Sequence, residues 1–298
     1  SDSSIVPKIY LEEFYSLYQE GNPLEEIYEA IARVYKTNEL NELPFSLNSI
    51  FDYETQKYSI TTKVISAQDN QELLRNRPST RLEDMAVVYQ IEVGNVQGNK
   101  GTIGVTNDIM ERWGVPLEEL HQMALHNTER MSPARLFTME SFVYREYQNI
   151  LFNPEEYIPD NENFLVLSNH DLVNGAATIA NPYVLRMVSE VVNDSFYIIP
   201  SSVHEVLIIP NSTFEQMNMT PANMGEMVRE INEAQVSPDE RLSDHIYEYD
   251  KENQLFKIVE ASKEVSMQET PENKFANFKP VQGGRSVQQQ DKRPSLSI

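Results

Sequence analysis

The chain contains no cysteine, which excludes disulfides, thiolate zinc sites and cysteine nucleophiles and fits a reducing compartment. No apolar run approaches the roughly 20 residues that a membrane-spanning helix needs. No stretch reads as a signal peptide, so the expected location is cytoplasmic, with no membrane contact. A Gly-rich phosphate loop is missing, as is the regular βαβ alternation of a doubly wound nucleotide-binding fold. There is no G-x-S-x-G elbow and no H-E-x-x-H pair. Basic residues are scarce, 24 Lys and Arg against 46 Asp and Glu, for a net charge of −22. Five of them (Lys274, Lys279, Arg285, Lys292, Arg293) stand after residue 273 with one acid, Asp291; that end nets +4, so residues 1–273 carry −26. A body of that sign repels phosphate backbones and excludes nucleic-acid binding through a basic patch. It also keeps a protein soluble.

What is present is a core. Hydrophobic residues make up 40% of 298 positions, ample for one large domain or two small ones. Residues 7–20 carry a helical stripe, Ile9, Tyr10, Phe14, Leu17 and Tyr18, stopped by Gly21. A second helix follows, with Asn22 as cap, Pro23 in the first turn, and Leu24, Ile27, Tyr28, Ile31, Val34 and Tyr35 on one face. Together they predict an N-terminal helical hairpin over residues 1–40. Tyr58–Ser66, Met85–Val93 and Gly101–Thr106 read as strands, with Gly94–Lys100 as the turn between the last two. Asn107 is read as the cap of a helix that runs to Trp113 and that Gly114 stops, and Pro116 opens another with Glu118 and Glu119 in its first turn. Trp113 falls in the apolar pattern and reads as a core anchor.

Phe164–Ser168 is a short strand and Val184–Val192 a helix. Phe196–Ile199 and Val206–Ile209 read as buried strands. Asn211 and Thr220-Pro221 start two further helical stretches, and His245–Tyr249 with Leu255–Val259 make a hairpin. The unit strand–turn–strand–cap–helix–helix thus occurs twice, near 85–128 and 195–235. At an offset of 104, Asn107 falls on Asn211, Met110 on Phe214, Glu111 on Glu215 and Leu120 on Met224. Gly114 falls on Asn218, the two residue types that most easily stop a helix in the left-handed region. The pattern predicts an α+β fold: a largely antiparallel sheet from two β-β-α units, helices mostly on one face. The main body is expected over 41–262. Residues 263–298, rich in Gln, Ser, Pro and charge, read as a disordered tail.

The segment FYIIPSSVHEVLIIP, Phe196–Pro210, crowds two hydroxyls, an imidazole and a carboxylate between apolar runs. Ser202, His204 and Glu205 are the candidate catalytic residues there. A serine nucleophile needs a base within hydrogen-bond reach and a third group to orient it. The competing reading is a turn whose hydroxyls serve backbone amides, with His204 bonded to a carboxylate or carbonyl. Ser201, with His170 and Asp171 of SNHD and Asn174 and Gly175 of the small-residue run NGAA, are the candidate ligand-binding residues. Such a run more often marks tight packing. His121 and His126 stand five apart, which is not the spacing of a helical zinc pair. No spacing supports a metal at His170, Asp171 and His204. No metal and no cofactor are expected.

GTIGVTNDIMERWGVPLEELHQMALHNT, then NGAATIANPYVL and FYIIPSSVHEVLIIP, resemble a family of uncharacterised bacterial proteins. Its members occur mainly in clostridia and relatives, often on mobile or conjugative elements, and carry only a domain-of-unknown-function label. The same segments, with RLSDHIYEY at Arg241–Tyr249, are more distantly similar to the YtpQ-like family of bacilli. There the position of Ser202 or Val203 is more often charged, which weakens a shared serine mechanism. Neither resemblance brings a catalytic residue. The expected function is a non-catalytic protein-interaction or accessory factor with a protein partner, in the setting of a mobile element. The alternative is a small-molecule-binding protein or hydrolase centred on Ser201–Glu205.

Overall fold

In a computed structural model, residues 23, 26–29, 47–96, 99–151, 164–217 and 220–259 are described. The chain forms two compact units, Ser1–Leu47 and Asn48–Ile298. In the first, residues 26–29 are helical, inside the helix expected after Pro23. The helix over 7–20 and the tail over 263–298 lie outside the described residues.

The larger unit is α+β, and it holds two antiparallel sheets. The first has β1 (Ile60–Ser66), β2 (Ser79–Leu82), β3 (Met85–Val96) and β4 (Asn99–Gly104). Strand β3 is its centre, pairing β1 along one edge and β2 then β4 along the other. Its helices are α1 (Tyr53–Gln56), α2 (Gln71–Arg75), α3 (Asn107–Trp113) and α4 (Leu117–Met131). Thr106 caps α3 by accepting from the Ile109 amide, and Gly114 ends it at φ 66°. The Trp113 indole is buried and donates to the Ile50 carbonyl at 2.9 Å.

Strand β1 is an edge, and α4 closes it. Thr128 Oγ1 accepts the Thr62 amide at 2.8 Å, and Asn127 Nδ2 donates to the Ile60 carbonyl at 2.9 Å. Asn and Thr are mediocre helix residues; here they satisfy backbone groups that would otherwise invite another strand.

The second sheet runs β10-β9-β7-β8-β6-β5. Its strands are β5 (Ala134–Thr138), β6 (Leu165–Asn169), β7 (Phe196–Pro200), β8 (Val206–Pro210), β9 (Tyr247–Asp250) and β10 (Leu255–Ile258). Its helices are α5 (Met139–Val143), α6 (Pro182–Val192), α7 (Asn211–Gln216) and α8 (Pro221–Gln235), with a 3₁₀ turn at Gly175–Ala180. The register aligns Phe137, Val166, Leu207 and Ile199 in one row across four strands. Phe142 of α5, Phe214 of α7, and Met224 and Val228 of α8 pack on that row. At roughly 1.5–3 kcal/mol per fully buried large apolar side chain, this cluster is a principal source of stability. The two β-β-α units of the sequence therefore fall one in each sheet. The offset of 104 also separates α4 from α8, both of fifteen residues.

Between β2 and β3, the turn residue Asp84 meets the segment that leads into β9. Its Oδ2 accepts from Ser243 Oγ at 2.8 Å and from His245 Nδ1 at 2.9 Å, and its Oδ1 accepts the Tyr247 hydroxyl. A carboxylate only accepts, so His245 Nδ1 carries a proton. Burial alone would raise the Asp84 pKa, but these three donors outweigh it and hold the carboxyl below its ordinary range. The Tyr247 phenol is pushed far up by its burial and by the neighbouring Asp84 charge. One side chain thus ties the first sheet to the second. Because the folded-state pKa is depressed, this contribution is complete above the ordinary carboxylate value near ~3.9 and is lost as pH falls through the lower folded value. Asp84→Asn is expected to cost about 2 kcal/mol at neutral pH. Urea titrations from pH 7 to pH 3 are expected to show a smaller acid-side loss for the variant than for the parent.

Candidate functional site

The candidate residues stand where the backbone turns from β7 to β8. Every position from Ser201 to Ile209 is buried, with Ser202 and Glu205 at 0% exposure and His204 at 5%. The turn closes on itself. Ser202 N donates to the Glu205 carbonyl at 3.2 Å. Ser202 Oγ donates to Glu205 Oε1 at 2.9 Å and accepts the His204 amide at 3.0 Å. The hydroxyl therefore has its donor directed at a carboxylate, not at an imidazole.

The His204 ring points elsewhere. Its Nδ1 accepts the Asn174 amide at 3.1 Å, so that nitrogen is unprotonated and Nε2 carries the ring proton. Nε2 stands 3.4 Å from Glu240 Oε1. A serine hydrolase needs the reverse connection: a base taking the serine proton and an acid behind the base. Here Ser202 and Glu205 form a pair, and Asn174, His204 and Glu240 a separate set of three. The three residue types meet, but their bonds run in the wrong directions for proton abstraction from Ser202.

The small-residue run has a packing role. Ser168 Oγ of β6 donates to the His204 carbonyl at 2.7 Å, and Ala176 N donates to the Val203 carbonyl at 3.2 Å. Gly175 sits between these chains. A Cβ there would collide with Ser168 Oγ and the His204 carbonyl, and would lie 2.8 Å from the Asn169 amide. Asn174 adopts the left-handed region at φ 53°, which turns its amide toward His204. From the far side, the Glu240 carbonyl accepts the Val203 amide at 2.9 Å. Ser201 is buried as well, and its Oγ has no hydrogen-bond partner among the described residues. No hydrogen bond among the described residues joins the His170 ring to the turn. His170 and Asp171 are both exposed, with their amides donated to the Pro133 carbonyl and to Ser132 Oγ.

Among the described residues no group of three or more His, Asp or Glu is placed to hold a metal ion. His121 and His126 line an open cleft of about 500 Å³ with Glu129 and Tyr183. Behind it, Tyr89 bonds His121 Nδ1 at 3.0 Å and Thr80 Oγ1 at 2.5 Å. Burial lowers the His121 pKa, against the pull of Glu118, and raises that of Glu129, against the Ala134 amide. Burial pushes Tyr89 up to about 12. Residues 121 and 129 are eight apart on one helix, roughly 12 Å along its axis, too far to act on one atom.

Sequence reading did not reach Ser168 or Glu240, the partners that complete the turn. Neither lies within 30 positions of His204, so no local spacing points to them.

The bonding pattern sets two expected outcomes. Gly175→Ala is expected to lower the urea unfolding free energy by about 3 kcal/mol through overpacking. His204→Ala is expected to lower it by about 2 kcal/mol, because the Asn174 amide and the Glu240 carboxylate lose their shared partner. Unchanged stability in both would contradict a turn held for folding.

Among the described residues no helix is long and apolar enough to cross a membrane. No curated protein and no solved structure matches the chain. A family model does match it, over residues 1–251. The quoted motifs, the buried turn and every described strand but β10 fall inside that span, and the chain belongs to DUF5688, a family of unknown function.

Proposed function

We propose that the chain is a non-catalytic, cytoplasmic protein-interaction or accessory factor. The observation that carries this reading is the closure of the Ser201–Glu205 turn. The densest set of reactive side chain types in the sequence is buried: the Ser202 hydroxyl is bonded to the Glu205 carboxylate, and the His204 imidazole to the Asn174 amide and Glu240. Those bonds stabilise the fold and leave no route for a substrate to reach Ser202 Oγ. The charge of −22 supports association instead, since a single-sign field steers oppositely charged partners and speeds encounter. The resemblance to proteins of mobile elements favours an accessory role in that setting.

Two measurements test this. A panel of ester, amide and phosphoester substrates is expected to show no turnover above that of the Ser202→Ala variant. A purified basic partner is expected to bind with an affinity that falls about tenfold or more between 0.05 and 0.5 M salt. Turnover that disappears in Ser202→Ala would overturn the reading in favour of a hydrolase.

A further inference from the structure

Arg77 is a charged group brought partly out of water, and burial lowers its pKa. It follows α2 and is half-buried, yet makes no hydrogen bond from its guanidinium and no ion pair with any described residue. By contrast, Arg81 Nε donates to the Glu83 carbonyl, Arg112 pairs with Asp108, and Arg130 donates to the Tyr58 carbonyl. In a chain with 46 acids, a partly desolvated guanidinium without a carboxylate goes against the general composition. Burial alone lowers its pKa, with no acid near enough to offset it.

The surroundings are shaped to this side chain. The guanidinium lies against the Cα of Gly104, at the end of β4, and a Cβ at that position would collide with its Cζ and both terminal nitrogens. Glycine inside a strand weakens it, and an unpaired, partly buried charge also destabilises. The arrangement is held from behind. Asn107 donates its amide to the Asn76 carbonyl at 3.0 Å and its side-chain Nδ2 to the Arg75 carbonyl at 3.1 Å. Arg77 therefore lies on Gly104 with unused donors, on a backbone stretch held by Asn107.

We propose that Arg77, seated on Gly104, binds an oxyanion, the carboxylate or phosphate group of a small ligand or of an acidic side chain. The guanidinium fork matches either group through two parallel N–H donors. The negative field of the body disfavours a polyanion such as a nucleic-acid backbone, so the site takes a single anionic group. It does not depend on the interaction reading, and either can fail alone.

The test is thermal unfolding of the full chain at constant ionic strength, with chloride replaced stepwise by acetate, by N-acetylglutamate amide or by inorganic phosphate. The native chain is expected to gain about 2–4 °C, saturably, in at least one of these. A response to acetate and N-acetylglutamate amide assigns a carboxylate ligand; a response to phosphate alone assigns a phosphoryl group. Arg77→Met is expected to lose the response and, in chloride, to unfold at the same temperature as the parent or higher. Arg77→Lys keeps the charge without the fork and is expected to need about tenfold more anion. It carries the test if the Met variant does not fold. A native chain that responds to none of the three anions overturns the proposal. So does an equal response in the native chain and the variants.

Discussion

A carboxylate and an imidazole placed inside an apolar sheet have to be hydrogen-bonded, because an unmet polar group there costs several kcal/mol. Glu205 and His204 impose that condition where β7 turns into β8. Its consequences reach well beyond the turn. Asn174 must present an amide, which requires the left-handed backbone at that residue. Gly175 must lack a side chain so that β6 and the turn can approach. The segment at Glu240 must come back over Val203. Three stretches distant in sequence are thereby fixed by the demands of five residues. An all-apolar turn would pack with less constraint on its neighbours, and the arrangement of the small-residue run would lose its reason.

The same logic recurs wherever elements meet in the larger unit. Asp84 collects Ser243, His245 and Tyr247 and so joins sheets that share no strand. Asn127 and Thr128 finish the open edge of β1 from a helix. Apolar packing on the Phe137–Ile199 row gives the second sheet a core, but it is non-directional. Register and orientation come from these polar contacts, which tolerate little displacement.

The balance between local and distant forces explains what the sequence revealed. Phe196–Pro200 and Val206–Pro210 were legible because apolar, β-branched runs bounded by proline have few alternatives. The helix after Thr220 was legible from its cap, and the helix before Gly114 was legible with its cap read one residue late, at Asn107 in place of Thr106. Strands β2 and β5 were not. STRL and ARLFT each carry an arginine and lack a clean alternation, and β5 pairs with β6 about thirty residues downstream. The residues of the polar turn were legible, but not the directions of their bonds. Whether Ser202 faces His204 depends on Asn174 and Glu240, 30 and 36 positions away from His204. Periodicity carries no information over such separations. The Asp84 tie was missed for the same reason, with its donors about 160 positions away.

Buried polarity in this chain therefore falls into two kinds. In the first, represented by His204, Asp84 and the Oε1 of Glu205, hydrogen-bond partners are supplied inside the protein, and the group acts on the fold. Removing one member leaves its partner stranded, so substitution there reports on stability. Arg77 is of the second kind, with a charge brought partly out of water and no internal acceptor supplied. Removing it strands nothing. Stability and function thus separate at this residue in a way they cannot at the turn. A loss of activity in a His204 variant is confounded with unfolding, whereas a change in an Arg77 variant is not. The distinction rests on bonding partners rather than on residue type, since histidine and arginine are equally common choices for binding sites. It directs the search for function away from the crowded turn and toward the notch between α2 and the end of β4.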